Sequence, residues 1–167
     1  MGEMKIYIRI LIDIILVVFL FLVGYFFIYK DMRFVKIISS SMEPTICVGD
    51  RVITVKKGVV QRGDIVVIEA PKGKKELLTK RVIGLPSEIL EIKDGSVFIN
   101  RKKLEEPYIK EPPRYELKVK IPEKKYFLLG DNRNKSEDSS IWGPVDEENI
   151  KGKVICRYWP LKNFSIF

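Results

Sequence analysis

Ile89-Leu90-Glu91-Ile92-Lys93-Asp94-Gly95-Ser96-Val97-Phe98-Ile99 is the stretch that decides the fold class. Two β-type runs flank Asp94-Gly95, a pair favoured in tight hairpins because both central residues of a type I′ turn take positive φ. Working outward, short runs of the same kind recur at Arg51 to Lys57, Asp64 to Glu69, Leu77 to Gly84, Leu117 to Ile121, Tyr126 to Leu129 and Lys153 to Trp159. No helical period competes with them, so an all-β domain is expected over residues 37–167. Residues 105–124, with Pro107, Pro112, Pro113 and Pro122 among charged side chains, read as the least ordered stretch, an extension over the surface.

Upstream the character changes. Ile10 to Tyr29 is an apolar run of 20 residues interrupted only by Asp13 and Gly24, and at helical rise it spans about 30 Å, the hydrocarbon thickness of a bilayer. A removable signal peptide has an apolar stretch of about 7 to 15 residues that ends in a small-residue site; this run ends in Phe26-Phe27-Ile28-Tyr29-Lys30. The expected division is an N-terminal segment 1–9, one transmembrane helix 10–29, and a β domain 37–167. Lys5 and Arg9 on one side of the helix face Lys30, Arg33 and Lys36 on the other, so charge bias does not assign an orientation.

The 167-residue chain carries 30 Lys and Arg against 22 Asp and Glu, a net charge of +8, and no histidine. Clusters at Lys56-Lys57, Lys72 to Lys75 and Arg101 to Lys103 suit a domain held beside anionic headgroups. No nucleic-acid motif accompanies the charge, which argues against a nucleic-acid partner. Cys47 and Cys156 are too few for a disulfide framework and lack metal-site spacing. They read as two buried thiols in strands, with one bridge between them as the alternative. The C-terminal run Arg157 to Phe167 mixes aromatic and basic residues, a composition that suits either a headgroup interface or closure of the β core.

The missing histidine bears on Ser39-Ser40-Ser41-Met42-Glu43-Pro44-Thr45. A hydrolase built on Ser41 needs another base, and Lys80 in Lys80-Arg81-Val82-Ile83-Gly84 is the best candidate. In an extended run Lys80 shares a face with Leu78 and Val82, whereas Thr79, Arg81 and Ile83 point the other way. Burial among apolar neighbours moves a lysine from its ordinary pKa of about 10.4 toward the range of roughly 7 to 8 that suits a general base. Pro44 biases Glu43 away from the helical region, so Ser41 is expected on an extended or turning segment.

These motifs come in a fixed order: Ser39 to Thr45, Gly49-Asp50-Arg51-Val52, Lys80 to Pro86, then Gly130-Asp131-Asn132-Arg133 running to Ser136, Asp138 and Ser139. Behind an N-terminal apolar helix, the set resembles that of the type I signal peptidases, and the likeness continues to Trp159-Pro160. The resemblance implies the β-rich signal peptidase fold in a compact form. It implies a Ser-Lys dyad with Ser41 as nucleophile and Lys80 as base, and no cofactor or metal. It also implies that the Ser39 hydroxyl joins the Ser41 N–H in an oxyanion hole, that Ser136 orients the base and that Asp138 supports the site. Asp131 is expected to brace the loop backbone. Ser140 stands where the family pattern has arginine, so the ion pair expected for Asp138 is missing or supplied from elsewhere. Ile38, Met42 and Leu78 are candidates for the substrate pocket, with plain core packing as the alternative.

The activity implied is cleavage of N-terminal signal peptides from exported preproteins through an acyl-enzyme. The setting implied is the plasma membrane, single-pass, with a cytoplasmic N-terminus, an extracytoplasmic catalytic domain and proximity to the secretion translocon. Two rivals stand beside it. A self-cleaving protease of the SOS-repressor type would need a DNA-binding or partner region where this chain has a membrane helix. A non-catalytic, membrane-tethered β module assisting assembly of surface proteins or pili would not need both Ser41 and Lys80.

Overall fold

The computed structural model describes residues 2–29, 31–56, 58–71 and 76–167, with the backbone alone at 2–5 and 26–29. Lys30, Lys57 and Lys72 to Lys75, counted above among flanking and clustered charges, lie outside the described residues. The chain divides into two compact units, Met1–Met32 and Arg33–Phe167.

The first unit is a single helix, α1 (Gly2–Tyr29), of 28 residues. Within it Ile6–Tyr25 is long and apolar enough to cross a membrane. Ile6, Tyr7 and Ile8 extend the apolar run on the N-terminal side of Ile10, and side chains all around the helix from Ile6 to Tyr25 are exposed. A helix apolar on every face has no polar stripe to turn toward water.

Apart from Met32, the first residue of β1, the second unit holds β1 (Met32–Lys36), β2 (Arg51–Val55), β3 (Ile65–Glu69), β4 (Leu77–Gly84), β5 (Ile89–Lys93), β6 (Ser96–Ile99), β7 (Lys102–Lys103), β8 (Leu117–Lys120), β9 (Lys125–Leu129), the short helix α2 (Ser139–Trp142), β10 (Val145–Asp146), β11 (Ile150–Trp159) and β12 (Ser165–Ile166). One sheet runs β1-β2-β11-β3-β4-β9-β10 with β12 beside β11, and a smaller one runs β7-β6-β5-β8. The architecture is β-sheet preceded by one apolar helix. Asp94 and Gly95 take φ of 50° and 68° and set Lys93 opposite Ser96, the tight hairpin their sequence demands.

β3 lies between β11 and β4 and is buried on both faces, which is why Ile65-Val66-Val67-Ile68 is a continuous apolar run. Val66 and Ile68 pack with Val82, Leu128, Val145 and Ile150 on one side. Ile65 and Val67 pack with Ile37, Met42, Ile46, Val52 and Val154 on the other. A third cluster, with Ile83, Phe127 and Leu129 meeting Leu90, Ile92, Val97 and Ile99, joins the two sheets. β4 therefore runs through the middle of the packed interior, with β3 on one edge and β9 on the other.

One expectation changes and one alternative falls away. Cys47 lies in a turn rather than a strand, and both cysteines are free and only partly buried. In the C-terminal run Trp159, Leu161, Phe164 and Ile166 are exposed and so do not close the core; Phe167 alone of these packs against the Met42 cluster.

Candidate active site

The turn that carries Ser41 is held by its apolar members. Met42 and Ile46 are buried in the core beside β3, and the Ile46 N–H donates to the Met42 carbonyl at 2.9 Å. At the far end of the turn Asp50 accepts from the Cys47 N–H at 2.9 Å and from Arg157 Nη1 at 2.9 Å. Arg157 Nη1 also donates to the Thr45 carbonyl at 2.8 Å, so β11 braces the turn.

Lys80 projects from β4 with 2% of its surface exposed, and its Nζ donates to Ser41 Oγ at 2.9 Å. Burial lowers its pKa to about 8, against the opposing pull of the carboxylates of Asp138, Glu137 and Glu76. Desolvation wins because a buried ammonium loses more hydration than three carboxylates at a distance return.

The next residue points the other way, as strand alternation requires. Arg81 donates from Nε to Asp131 Oδ1 at 2.8 Å and from Nη2 to Oδ2 at 2.7 Å. Thr45 Oγ1 donates to Asp131 Oδ2 at 2.5 Å. Asp131 thus ties β4 to the Ser41 turn through side chains. Bracing of backbone falls instead to Asn132, which sequence reasoning did not single out. Its N–H donates to the Ser41 carbonyl at 3.0 Å and its Nδ2 to the Ser40 carbonyl at 3.2 Å. Gly130 lets the two segments approach this closely: a Cβ there would lie 2.5 Å from the Ser41 carbonyl oxygen and 2.3 Å from Ser136 Oγ.

The Ser41 N–H donates to Ser39 Oγ at 3.3 Å, so these two groups are adjacent. Among the described residues Ser136 Oγ, buried beside Gly130, has no hydrogen-bond partner, Lys80 included. Asp138 is fully buried. It accepts from the Gly130 N–H at 2.9 Å, from the Ser140 N–H at 3.0 Å and from Ser140 Oγ at 2.8 Å. Among the described residues no cation pairs with it; hydrogen bonds, including the N-cap of α2, stand where the resemblance expects an arginine.

Residues 105–116 are more than an extension over the surface: they form a strap pinned along the 131–140 loop. Glu106 pairs with Arg133, at 2.5 and 2.9 Å, with side-chain exposures of 5% and 0%. The Arg81 guanidinium lies 4.0 Å from the Tyr108 ring centroid. The Lys110 N–H donates to the Asp131 carbonyl at 3.0 Å. Asn134 bonds the Pro112 carbonyl and the Arg114 N–H, each at 2.9 Å.

Ser41 lines two cavities. One of about 280 Å³ includes Lys80 and is lined by Ser39, Glu76, Leu78, Glu137 and Trp142. The other, of about 60 Å³, is lined by Ile37, Ile38, Met42, Leu78 and Thr79. Leu78 lines both; Ile38 is 81% exposed, whereas Met42 is at once pocket wall and core. Among the described residues no cluster of three His, Cys, Asp or Glu is arranged to hold a metal.

A family model described as signal peptidase, peptidase S26, matches residues 7–159. The chain is 42% identical over 138 residues to a probable signal peptidase I-2 of Synechocystis sp., a match covering 77% of this chain and 63% of that protein. The chain thus spans just under two thirds of that relative. It is 36% identical over 175 residues to signal peptidase IB of Staphylococcus aureus, covering 89% of this chain and 86% of the relative. The crystal structure of a signal peptidase I from Enterococcus faecalis superposes with a TM-score of 0.53 at 31% identity, over 57% of this chain and 97% of that one.

Proposed function

The chain belongs to the signal peptidase family, peptidase S26, and from that premise we propose that it is a membrane-anchored serine endopeptidase that cleaves N-terminal signal peptides from exported preproteins. The observation that carries the mechanism is the 2.9 Å contact between Lys80 Nζ and Ser41 Oγ inside the fold. Neutral Lys80 takes the Ser41 proton as Oγ attacks the scissile carbonyl, then gives it to the departing amine. Water deprotonated by the same lysine hydrolyses the acyl-enzyme. The developing oxyanion is met by the Ser41 N–H and the Ser39 hydroxyl; the N–H leaves only a long, weak bond to Ser39 Oγ to do so.

The small cavity suits a small side chain on the acyl side of the cut. The leaving amine collects its proton from Lys80, so the residues after the cut depart through the larger cavity that contains it. Asp138 supports the loop beside the base, and Ser136 Oγ, unpaired at this geometry, is the hydroxyl available to orient Lys80 once substrate is bound. The Ile6–Tyr25 segment supplies a single-pass anchor, with the catalytic unit on the extracytoplasmic face near the translocon, where signal peptides emerge. A non-catalytic assembly module is disfavoured, since it needs neither a desolvated lysine nor its serine. Incubation of the purified chain in detergent with a preprotein tests the reading: cleavage at the signal peptide junction, lost in Ser41→Ala, is expected, and equal processing by both forms would refute it.

A further inference from the structure

Arg81 is linked to both sides of the contact between Lys80 and Ser41. It follows Lys80 in β4, and its Nη2 donates to Thr45 Oγ1 in the Ser41 turn at 3.4 Å. The edges of its guanidinium are committed: Nε and Nη2 to Asp131, and Nη1 to the Gly63 carbonyl at 2.8 Å. In-plane bonds fix where those edges point and leave the flat faces to stack. One face meets the ring of Tyr108, with Arg81 Cζ 4.0 Å from the centroid, inside the range at which the negative face of an aromatic ring attracts a cation. The strap holds that ring from three sides. Tyr108 Oη donates to Glu106 Oε1 at 3.0 Å, and Arg133, the partner of Glu106, donates from Nε to the Gly130 carbonyl at 3.1 Å. Tyr108 packs against the Ile83, Phe127 and Leu129 cluster. Two residues on, Lys110 Nζ pairs with Glu43 of the Ser41 turn at 2.8 Å.

We propose that Tyr108 is a positioning residue: its ring face, carried by the strap, holds the Arg81 guanidinium and, through Asp131 and Thr45, fixes the Ser41 turn so that Oγ stays within reach of Lys80 Nζ. The hold is electrostatic as well as steric, because Arg81 is a charge with only 8% of its surface exposed and the ring replaces water over one face. The 3.4 Å bond to Thr45 is the longest of those given above for this guanidinium, so it is the first to give when the face is less well held. Loosening it frees the Ser41 turn on the side opposite the Arg157 brace. The effect on turnover rests on the reading of Ser41 and Lys80 as nucleophile and base; the effect on the turn does not.

The test varies the ring's charge and keeps its shape. The full chain in detergent is prepared as Tyr108→Phe and with a trifluorinated phenylalanine at position 108, since ring fluorines withdraw the negative charge of the face and leave the packing nearly unchanged. Preprotein processing gives kcat and KM. Amide hydrogen exchange reads the turn directly at the Ile46 N–H, bonded to the Met42 carbonyl, and at the Asn132 N–H, bonded to the Ser41 carbonyl. Relative to Tyr108→Phe, the fluorinated chain should lose roughly fivefold in kcat, the scale of one cation–π contact at a partly desolvated site, with KM little changed. Exchange at Ile46 and Asn132 should quicken by a similar factor while the β3–β4 ladder keeps its protection, which a general loss of stability would not do. Tyr108→Leu, which removes the ring, should do at least as much; if it does not fold, the fluorinated pair decides. Equal turn exchange in the fluorinated and Tyr108→Phe chains overturns the proposal, as does a turn that loosens while kcat holds. If the wild type cleaves no preprotein, the peptidase reading falls, and turn exchange alone decides whether Tyr108 holds the Ser41 turn.

Discussion

Lys80 should cost the fold stability at neutral pH, and replacing it with methionine should return part of that cost. The pKa is lowered from 10.5 to about 8 by burial, so below pH 8 the folded chain must hold a proton on a desolvated ammonium that the unfolded chain holds at no cost. A difference of about 2.5 units corresponds to about 3 kcal/mol at pH 7. Lys80→Met keeps length and volume while removing the charge, but leaves Ser41 Oγ buried without its 2.9 Å partner, a loss of about 1 kcal/mol. The net expectation is a gain of about 2 kcal/mol at pH 7. Between pH 8 and 10.5 the unfolded state binds more protons than the folded one, so wild-type stability rises with pH across that window. The advantage of Lys80→Met must therefore shrink from pH 8 upward and be gone, or slightly reversed, above 10.5. Urea unfolding of both full-length forms in detergent at pH 7 and 10.5 reads this directly. A variant no more stable than wild type at pH 7, or one whose advantage is the same at both pH values, would refute the desolvation argument.

Ser41→Ala and Lys80→Ala should each abolish preprotein processing, and the double variant should be no worse than either, because a nucleophile without its base has already lost most of its benefit; single-turnover cleavage measures it. The processing rate should rise through a midpoint near pH 8, with about a tenth of Lys80 neutral at pH 7; a rate flat from pH 6 to 9 under chemistry-limited conditions would contradict it. Glu106→Ala strands the guanidinium of Arg133, whose side chain is 0% exposed, and should destabilise the fold by about 3–5 kcal/mol in thermal or urea unfolding. Asn132→Ala removes the clamp on the Ser40 carbonyl and should lower kcat more than it raises KM, since it loosens the Ser41 turn without touching the cavities.

What the sequence disclosed and what it withheld divide along physical lines. β4 was legible because alternation is a local property: Leu78 and Val82 on either side of Lys80 indicate burial, and Lys80 is buried. The Asp94-Gly95 hairpin was legible because its backbone requirement is met by two adjacent residues. The strap was not, because its anchors are charged. Glu106 and Arg133 each read as solvent-facing, and only their pairing 27 positions apart lets both enter the interior. The 131–140 loop fails for a different reason. It has no period, so nothing in Gly130-Asp131-Asn132 indicates that the carboxylate turns to Arg81 and Thr45 while the neighbouring amide holds the serine turn. β10 and β12 are edge strands of two residues, too short for alternation to register, and they exist because the longer β9 and β11 offer them unpaired backbone. The proposed chemistry, a 2.9 Å contact between Lys80 Nζ and Ser41 Oγ, was therefore readable where motif and alternation coincide. The groups that hold that chemistry in place were hidden wherever a polar residue is buried by a partner distant in the chain.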